Sequence, residues 1–281
     1  MRADDIQPPR AQSRRSRHSR AAAAAVFAAI GVLCAAPEAA FADELAPGVE
    51  YSQLRTDAPQ DIYVAEIDIT RDDIAIRATE PGDAGMTTSR FASEYDCEIA
   101  VNGDFYDTSL RPIGLAVGGG RSWPGTTDSP RHGVVVTTPE GRVDIRHPTD
   151  VTRPAPGEIR DAVGGTPLLV WDGEPIRRAD CGAFCARHPR TAVGVSEDGD
   201  RLLLVVVDGR SEASKGATLI ELAAIMARLG AHRALGLDGG GSSTMYVKSQ
   251  GGVVNRPSGG FERPAANHLG VCRGERGHAD G

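Results

Sequence analysis

The segment RLLLVVVDGRSEASKGATLIELAAIMARLGAHRALGLDGGGSST (Arg201–Thr244) contains the kinds of element from which the rest of the chain can be read. Leu202–Val207 is a continuous apolar run, the mark of a central strand covered on both faces. Leu219, Leu222, Met226 and Leu229 then recur at helical spacing. Thr218 and Glu221 form a capping box before them, and Gly230 is placed to end the helix. A short apolar strand follows and stops at Asp238, three glycines and three hydroxyl residues.

Outward from this segment the pattern is mostly strand. Asp61–Ile69 and Asp73–Thr79 alternate apolar and polar residues around a polar turn. Gly133–Thr138 with Arg142–His147, and Thr191–Ser196 with Arg201–Asp208, flank turn residues and read as hairpins. A second helix is predicted from about Thr88 to Tyr95, before a strand at Glu98–Asn102. Pro154–Gly157 reads as a loop, too short for a domain boundary. The order is not a regular βαβ alternation. The expected class is α+β: a single mixed α/β domain over 43–281 with large, largely antiparallel or mixed sheets and few helices.

The chain has 281 residues, 40% of them hydrophobic and 25% charged, which suits a globular domain with a sizeable core. Arg10–Arg20 carries five arginines and no acid, Ala21–Ala36 is uncharged, and Ala40-Phe41-Ala42 offers small residues for cleavage. That order reads as a signal peptide over residues 1–42, cleaved after Ala42, by the Sec or twin-arginine route. A secreted, periplasmic or cell-envelope location follows, with no stable membrane anchor. Removing the segment takes six arginines and three acids from the chain's 31 basic and 38 acidic residues, leaving 25 against 35. So acidic a domain is poorly suited to a phosphate backbone, and nucleic acid is excluded as a partner. Cys97, Cys181, Cys185 and Cys272 remain, an even number that allows three pairings. Cys181–Cys185 with Cys97–Cys272 is the preferred one; zinc competes, but the spacing lacks a second close pair.

Three segments put polar residues where strands run into glycine. In Leu235–Met245, Asp238 precedes Gly239, Gly240 and Gly241, then Ser242, Ser243 and Thr244. Successive glycines let the backbone approach a ligand and turn its N–H groups to an anion, although a flexible turn uses the same residues. There is no Walker loop and no dinucleotide spacing. In VNGDFYD (Val101–Asp107), Asn102, Gly103, Asp104 and Tyr106 could hold a sugar or a cation; a self-satisfied turn is the bland alternative. Arg190 and Val207-Asp208-Gly209-Arg210 set two guanidinium forks and an acid at neighbouring strand ends, which matches a phosphodiester or a surface ion pair. Trp123 and Trp171 read as core or rim packing, and His132, His147 and His232 have no partner at ligand spacing. His188 and His268 lie within the segments of interest.

Taken together, VNGDFYD with Pro112 and Gly114, GGTPLLV (Gly164–Val170), HPRTAVGV (His188–Val195), LLLVVVDGR (Leu202–Arg210), GLDGGGSSTMYV (Gly236–Val247) and VVNRPSGGFERPAANHLGV (Val253–Val271) resemble the phosphodiester glycosidase family. Order and spacing agree over roughly 84–271. One departure is Asp104, where members usually carry a second glycine. The resemblance implies hydrolysis of a sugar-1-phosphodiester, of the N-acetylglucosamine-1-phosphodiester kind, at the anomeric bond. On that reading Asp238 and Asp208 are the catalytic carboxylates. Arg190, Arg210, the 239–241 backbone and the hydroxyls of 242–244 bind phosphate, while Asn102, Gly103, Asp104 and Tyr106 bind sugar. The substrate is a glycan or nucleotide-sugar phosphodiester. No cofactor is required, although acids at 104, 107, 208 and 238 could bind Ca²⁺ or Mg²⁺ if they converge. Two other readings stand beside it. A metal phosphodiesterase cleaving P–O would need a dense ligand cluster that the sequence does not show. A non-catalytic envelope glycan-binding or exopolysaccharide-assembly protein could keep the same fold.

Overall fold

A computed structural model describes residues 43–56, 58–124, 126, 132–150, 157–179 and 181–274. The expected signal segment over 1–42, and most of the loop read at Pro154–Gly157, lie outside them.

The apolar run becomes the strand Arg201–Val207. It lies between Gln60–Asp68 and Arg190–Val195, antiparallel to both. Its alternate side chains divide between two cores. Leu202, Leu204 and Val206 pack with Ile67, Val193 and Leu235, whereas Leu203, Val205 and Val207 pack with Leu222, Ile225 and Met226. Neither face meets water, so alternation never appears in the sequence.

The eight-stranded sheet around this strand runs in the order Asp43–Ala46, Val49–Thr56, Gln60–Asp68, Arg201–Val207, Arg190–Val195, Arg233–Gly236, Leu168–Trp171, Glu174–Pro175. Two five-stranded sheets complete the fold. One orders Arg121–Ser122, Val117–Gly118, Asp161–Gly165, Gly133–Thr137, Val143–Arg146. The other orders Gly252–Val253, Met245–Val247, Cys97–Asn102, His268–Arg273, Ile74–Ala78. All three sheets contribute to the core on the Leu204 face, among them Val135, Ile145, Ile99, Val101 and Leu269. With two α-helices among the described residues and antiparallel sheets throughout, the class is α+β, as expected.

Both predicted hairpins form. The strands on either side of Thr70–Asp73 part company: Gln60–Asp68 joins the large sheet and Ile74–Ala78 the third. That polar connection is a corner between sheets. The sequence reading also missed the strands at Asp43–Ala46 and Val49–Thr56, whose apolar positions are too sparse to stand out.

Helix α1, Thr88–Glu94, is capped by Thr87. Helix α2, Leu219–Arg228, carries the full capping box: Glu221 N–H donates to Thr218 Oγ1 at 3.2 Å, and Thr218 N–H to the Glu221 carboxylate at 2.9 Å. Gly230 follows with a φ of +90°. Leu219, Leu222, Ile225 and Met226 face the second core while Ile220 points to solvent. The preferred cysteine pairing is the one formed. Cys97–Cys272 joins register partners of adjacent strands and closes a loop of 175 residues, a cross-link worth about 5 kcal/mol in the chain-entropy account.

The packing of α2 gives a direct test. Leu222→Ala should cost about 2–5 kcal/mol in urea unfolding, whereas Ile220→Ala, one helical face away, should stay within about 0.5 kcal/mol. Equal losses would place the wrong face of α2 on the sheet.

Candidate active site

Antiparallel register brings the polar strand ends together. Arg190 pairs with Val207 and Ala192 with Gly236, so Arg190 and Asp208 leave the large sheet at the edge where Asp238 emerges. Backbone bonds carry the contact onward. Leu237 N–H donates to Thr191 O, Gly240 N–H to Pro189 O and Asp238 N–H to Gly103 O, each at 2.9 Å. The last bond ties the large sheet to the end of Cys97–Asn102 in the third.

Asn102 is the knot at that junction. Its Nδ2 donates to Asp238 O at 2.7 Å, and its Oδ1 accepts from Thr191 Oγ1 at 2.8 Å and from Thr244 N–H at 3.1 Å. The side chain is buried and engaged with three chain segments. Gly103 likewise exchanges backbone bonds, its N–H reaching Asn267 O at 2.9 Å. These two residues shape the floor of the site.

Asp104 has no exposed surface. Its carboxylate accepts from Phe105 N–H at 2.7 Å and from Gly114 N–H at 2.6 Å. The room for it comes from missing side chains: a Cβ on Gly114 or Gly164 would lie 2.8 or 2.7 Å from Asp104 Oδ2. Burial pushes this carboxyl up to about 7, against the pull of the two N–H donors, and the charge of Asp238 adds to the rise.

Asp238 sits two residues beyond Arg233–Gly236 and is partly open. Its Oδ1 accepts Gly239 N–H at 2.8 Å. Burial raises its pKa, and the Ser242 hydroxyl, the Gly239 N–H and the Arg263 charge oppose that rise. The chain then makes a 3-10 turn at Gly240–Ser242 under two guanidinium groups. Gly240 has a φ of +64°, and a Cβ there would lie 3.0 Å from Arg210 Nη2; one on Gly241 would lie 2.7 Å from Arg263 Cζ. Glycine is required at both places, by backbone conformation at the first and by the arginine overhead at the second. Ser242 Oγ is 3.5 Å from both Tyr106 Oη and Arg263 Nη1. Ser243 Oγ and Thr244 Oγ1 are buried without a hydrogen-bond partner.

Arg190 is the most telling cation. It is 5% exposed, and its guanidinium donates to three carbonyls: Ala217 O at 3.0 Å, Phe184 O at 2.7 Å and Ala186 O at 2.7 Å. No carboxylate of a described residue pairs with Arg190, Arg210 or Arg263. Burial, with Arg210 adding to it, pushes Arg190 down to about 10, so it stays charged at neutral pH. A buried charge held only by dipoles is costly, and an anion beside it would lower that cost.

Asp208 is placed differently from Asp238. Its carboxylate is buried and accepts Tyr63 Oη–H at 3.2 Å, Asn255 Nδ2 at 3.0 Å and Arg256 N–H at 2.9 Å. It anchors one end of the segment Asn255–Pro264. The other end is anchored by Glu262, whose carboxylate accepts Ser89 N–H at 2.9 Å and Ser89 Oγ–H at 2.6 Å. Arg263 reaches Gly241 from this strap. Asn267 was absent from the sequence-based site; Glu262-Arg263-Pro264 and Asn255-Arg256-Pro257-Ser258 read in the sequence as a loop over the site or an ion pair between them, and the run from Val253 to Val271 carries all of these.

The remaining groups fall away from the site's chemistry. Asp107 is occupied by Arg111 and Ser109, and the described residues hold no group of three His, Cys, Asp or Glu placed for a metal. His268 is fully buried, bonded to Thr79 and pushed by burial down to about 3. His188 Nε2 lies 2.8 Å from Ala183 O. Trp123 is core, donating to Thr79 O at 3.0 Å, and Trp171 packs under Arg233.

The sheet-rich α+β scaffold thus gathers carboxylates and three arginines around a glycine turn at neighbouring strand ends. The chain belongs to the phosphodiester glycosidase family, whose sequence model matches residues 95–272. The SPbeta prophage-derived uncharacterized protein YomE of Bacillus subtilis (strain 168) is 39% identical over 104 residues, 36% of this chain and 16% of that protein. The chain thus spans about a sixth of that relative's length. Among solved structures, the catalytic domain of zebrafish N-acetylglucosamine-1-phosphodiester alpha-N-acetylglucosaminidase, auto-inhibited by its pro-peptide, superposes with a TM-score of 0.66 at 19% identity, covering 85% of this chain and 88% of that one. A hypothetical protein from Synechocystis gives 0.61 at 17% identity over 84% of this chain and 64% of that one. At these identities the likeness is one of fold.

The elevated Asp104 pKa has a signed consequence. A carboxyl whose folded value lies near 7, above the unfolded value near 4, stabilises the fold fully below about pH 4 and loses that contribution as pH rises through 7. Wild type should therefore lose stability relative to Asp104→Asn between pH 4 and 7, by an amount on the order of a few kcal/mol in denaturant titrations. Parallel pH profiles for the two proteins would show that Asp104 ionises normally.

Proposed function

We propose that this protein hydrolyses the anomeric C–O bond of a sugar-1-phosphodiester, releasing free sugar and a phosphomonoester, and that it does so outside the cytoplasm. The observation that carries the reading is Arg190, a buried guanidinium satisfied by carbonyls alone, whose side chain passes Gly239, the residue after the partly open Asp238. Family membership and the N-acetylglucosamine-1-phosphodiester in the name of the zebrafish relative point to the substrate class. Export rests on the two disulfides, which persist in oxidising compartments. The expected setting is a cell-envelope or extracellular glycan.

Arg190, Arg210 and Arg263 hold the phosphoryl oxygens over the Gly239–Ser242 turn. Water attacks C1; the C1–O bond breaks with its electron pair passing to the phosphomonoester, which leaves as a stable anion. Asp238 accepts a proton from the attacking water and faces the positive charge that develops at the sugar ring. Asp208 acts at a distance from the reacting atoms by fixing the Asn255–Pro264 strap. Asn102 and Gly103 hold the floor, Tyr106 supplies a hydroxyl at its rim, and the buried Ser242 hydroxyl backs Asp238.

The test uses ¹⁸O water, the full chain and a uridine-diphosphate sugar or an alkyl ester of N-acetylglucosamine-1-phosphate, with products read by mass spectrometry. Label is expected in the free sugar, with Asp238→Asn lowering kcat about 10²–10⁴-fold. Asp208→Asn should raise KM more than it lowers kcat. Label in the phosphate would instead establish P–O cleavage, and saturable binding without turnover would establish a glycan-binding protein.

A further inference from the structure

Phe184 is one of four large apolar side chains left exposed among the described residues, at 38%. Unlike Ile220 on the outer face of α2, it is held in place by several restraints. It lies in a single 3-10 turn, Gly182–Cys185, closed by the Cys181–Cys185 disulfide. His188 Nε2 sits 2.8 Å from the carbonyl of Ala183 in the same turn. The Phe184 ring is 5.9 Å from the ring of Phe105, tilted by 57°, and Arg190 Cζ lies 5.5 Å from the Phe184 ring centroid. Phe105 directly follows Asp104 and is joined through its carbonyl to the N–H of Ile113, itself 45% exposed, at 2.9 Å.

The turn does two things at once. Its Phe184 carbonyl, with that of Ala186 just beyond, accepts Arg190 Nη2, while the Phe184 ring packs 5.5 Å from the same guanidinium carbon. A ring face and a positive charge are thus fixed at one separation by a disulfide. The complementary ligand carries an anion joined to a compact ring with an apolar face. A pyranose phosphate fits this description, because the axial C–H bonds of a sugar stack on an aromatic face while its phosphate reaches the arginines.

We propose that Phe184, backed by Phe105, is the stacking platform for the sugar ring of the substrate, and that the Cys181–Cys185 turn sets its distance from Arg190. This rests on the sugar-phosphodiester reading of the site. Phe184 is then a specificity determinant: it selects the sugar and leaves phosphate recognition to the arginines.

Calorimetric titration of the full chain with N-acetylglucosamine-1-phosphate, uridine monophosphate and inorganic phosphate tests the proposal. Phe184→Ala should weaken the sugar phosphate about five- to tenfold, a factor typical of one aromatic contact, and leave inorganic phosphate unchanged. Phe184→Tyr, which keeps the ring, should bind the sugar phosphate within about twofold of wild type. An equal loss for inorganic phosphate would show that the substitution merely disturbs Arg190, and would overturn the proposal. So would a loss confined to uridine monophosphate, which would make the platform a base site, or wild-type protein that binds no sugar phosphate. Turnover is read separately: if ¹⁸O labelling shows no C–O cleavage while the binding contrast holds, the hydrolytic reading fails and the platform stands.

Discussion

The side-chain amide of Asn102 is the bond set on which the rest of the site depends. With one acceptor and one donor it joins the end of the third sheet to Thr191 in the large sheet, to the carbonyl of Asp238 and to the backbone at Thr244. All of these groups are at or next to strand ends, where ladder bonds run out and backbone polar groups need new partners. A buried amide satisfied on several sides costs little to keep and much to disturb, because losing one partner strands the others away from water. It allows the glycine turn at 239–241 to carry an open carboxylate without folding back on itself.

Around that knot the protein keeps its charges separated instead of pairing them. Asp208 is neutralised by N–H and O–H donors and Arg190 by carbonyls, although the two leave adjacent strands of the same sheet. Direct pairing would satisfy both and leave no field for a ligand. Using neutral dipoles for each leaves Arg190 without a carboxylate partner and keeps the strap of residues 255–264, which carries Arg263, in place. The arrangement is preorganised for the anion proposed above, since these side chains already have fixed partners.

Much of the fold was legible in the sequence because the strongest signals come from unambiguous burial. The run Leu202–Val207, the capping box at Thr218 and the turn residues of two hairpins each admit one reading, and each took the expected form. Which sheet a strand joins was not legible. The turn at 70–73 has the composition of a hairpin but sends its strands to different sheets, and only packing at a distance decides that. At the candidate site, residue types pointed to loops that the fold brings together, yet the surroundings of their side chains depended on neighbours far along the chain. Asn102 and Asp208 carry the same polar groups as open ligands would, and nothing local reveals that Thr191, Asn255 and Tyr63 occupy them. Asp104 shows the reverse case. Its burial depends on two glycines, at 114 and 164, whose missing side chains make the space.

The strand His268–Arg273 lies between Ile74–Ala78 and Cys97–Asn102, and Asn267 just before it bonds both Gly103 and Asp104. It is the last described strand of the chain and an interior one of its sheet. Translation must therefore pass residue 273 before the floor of the site can close. Until then Cys97 waits for a partner 175 residues away, and the apolar faces of its neighbours stay uncovered. The order of synthesis thus acts as a timer: until that strand has been made the chain is without a site and with uncovered strand faces, and the bond from Cys97 to Cys272 can close only after it.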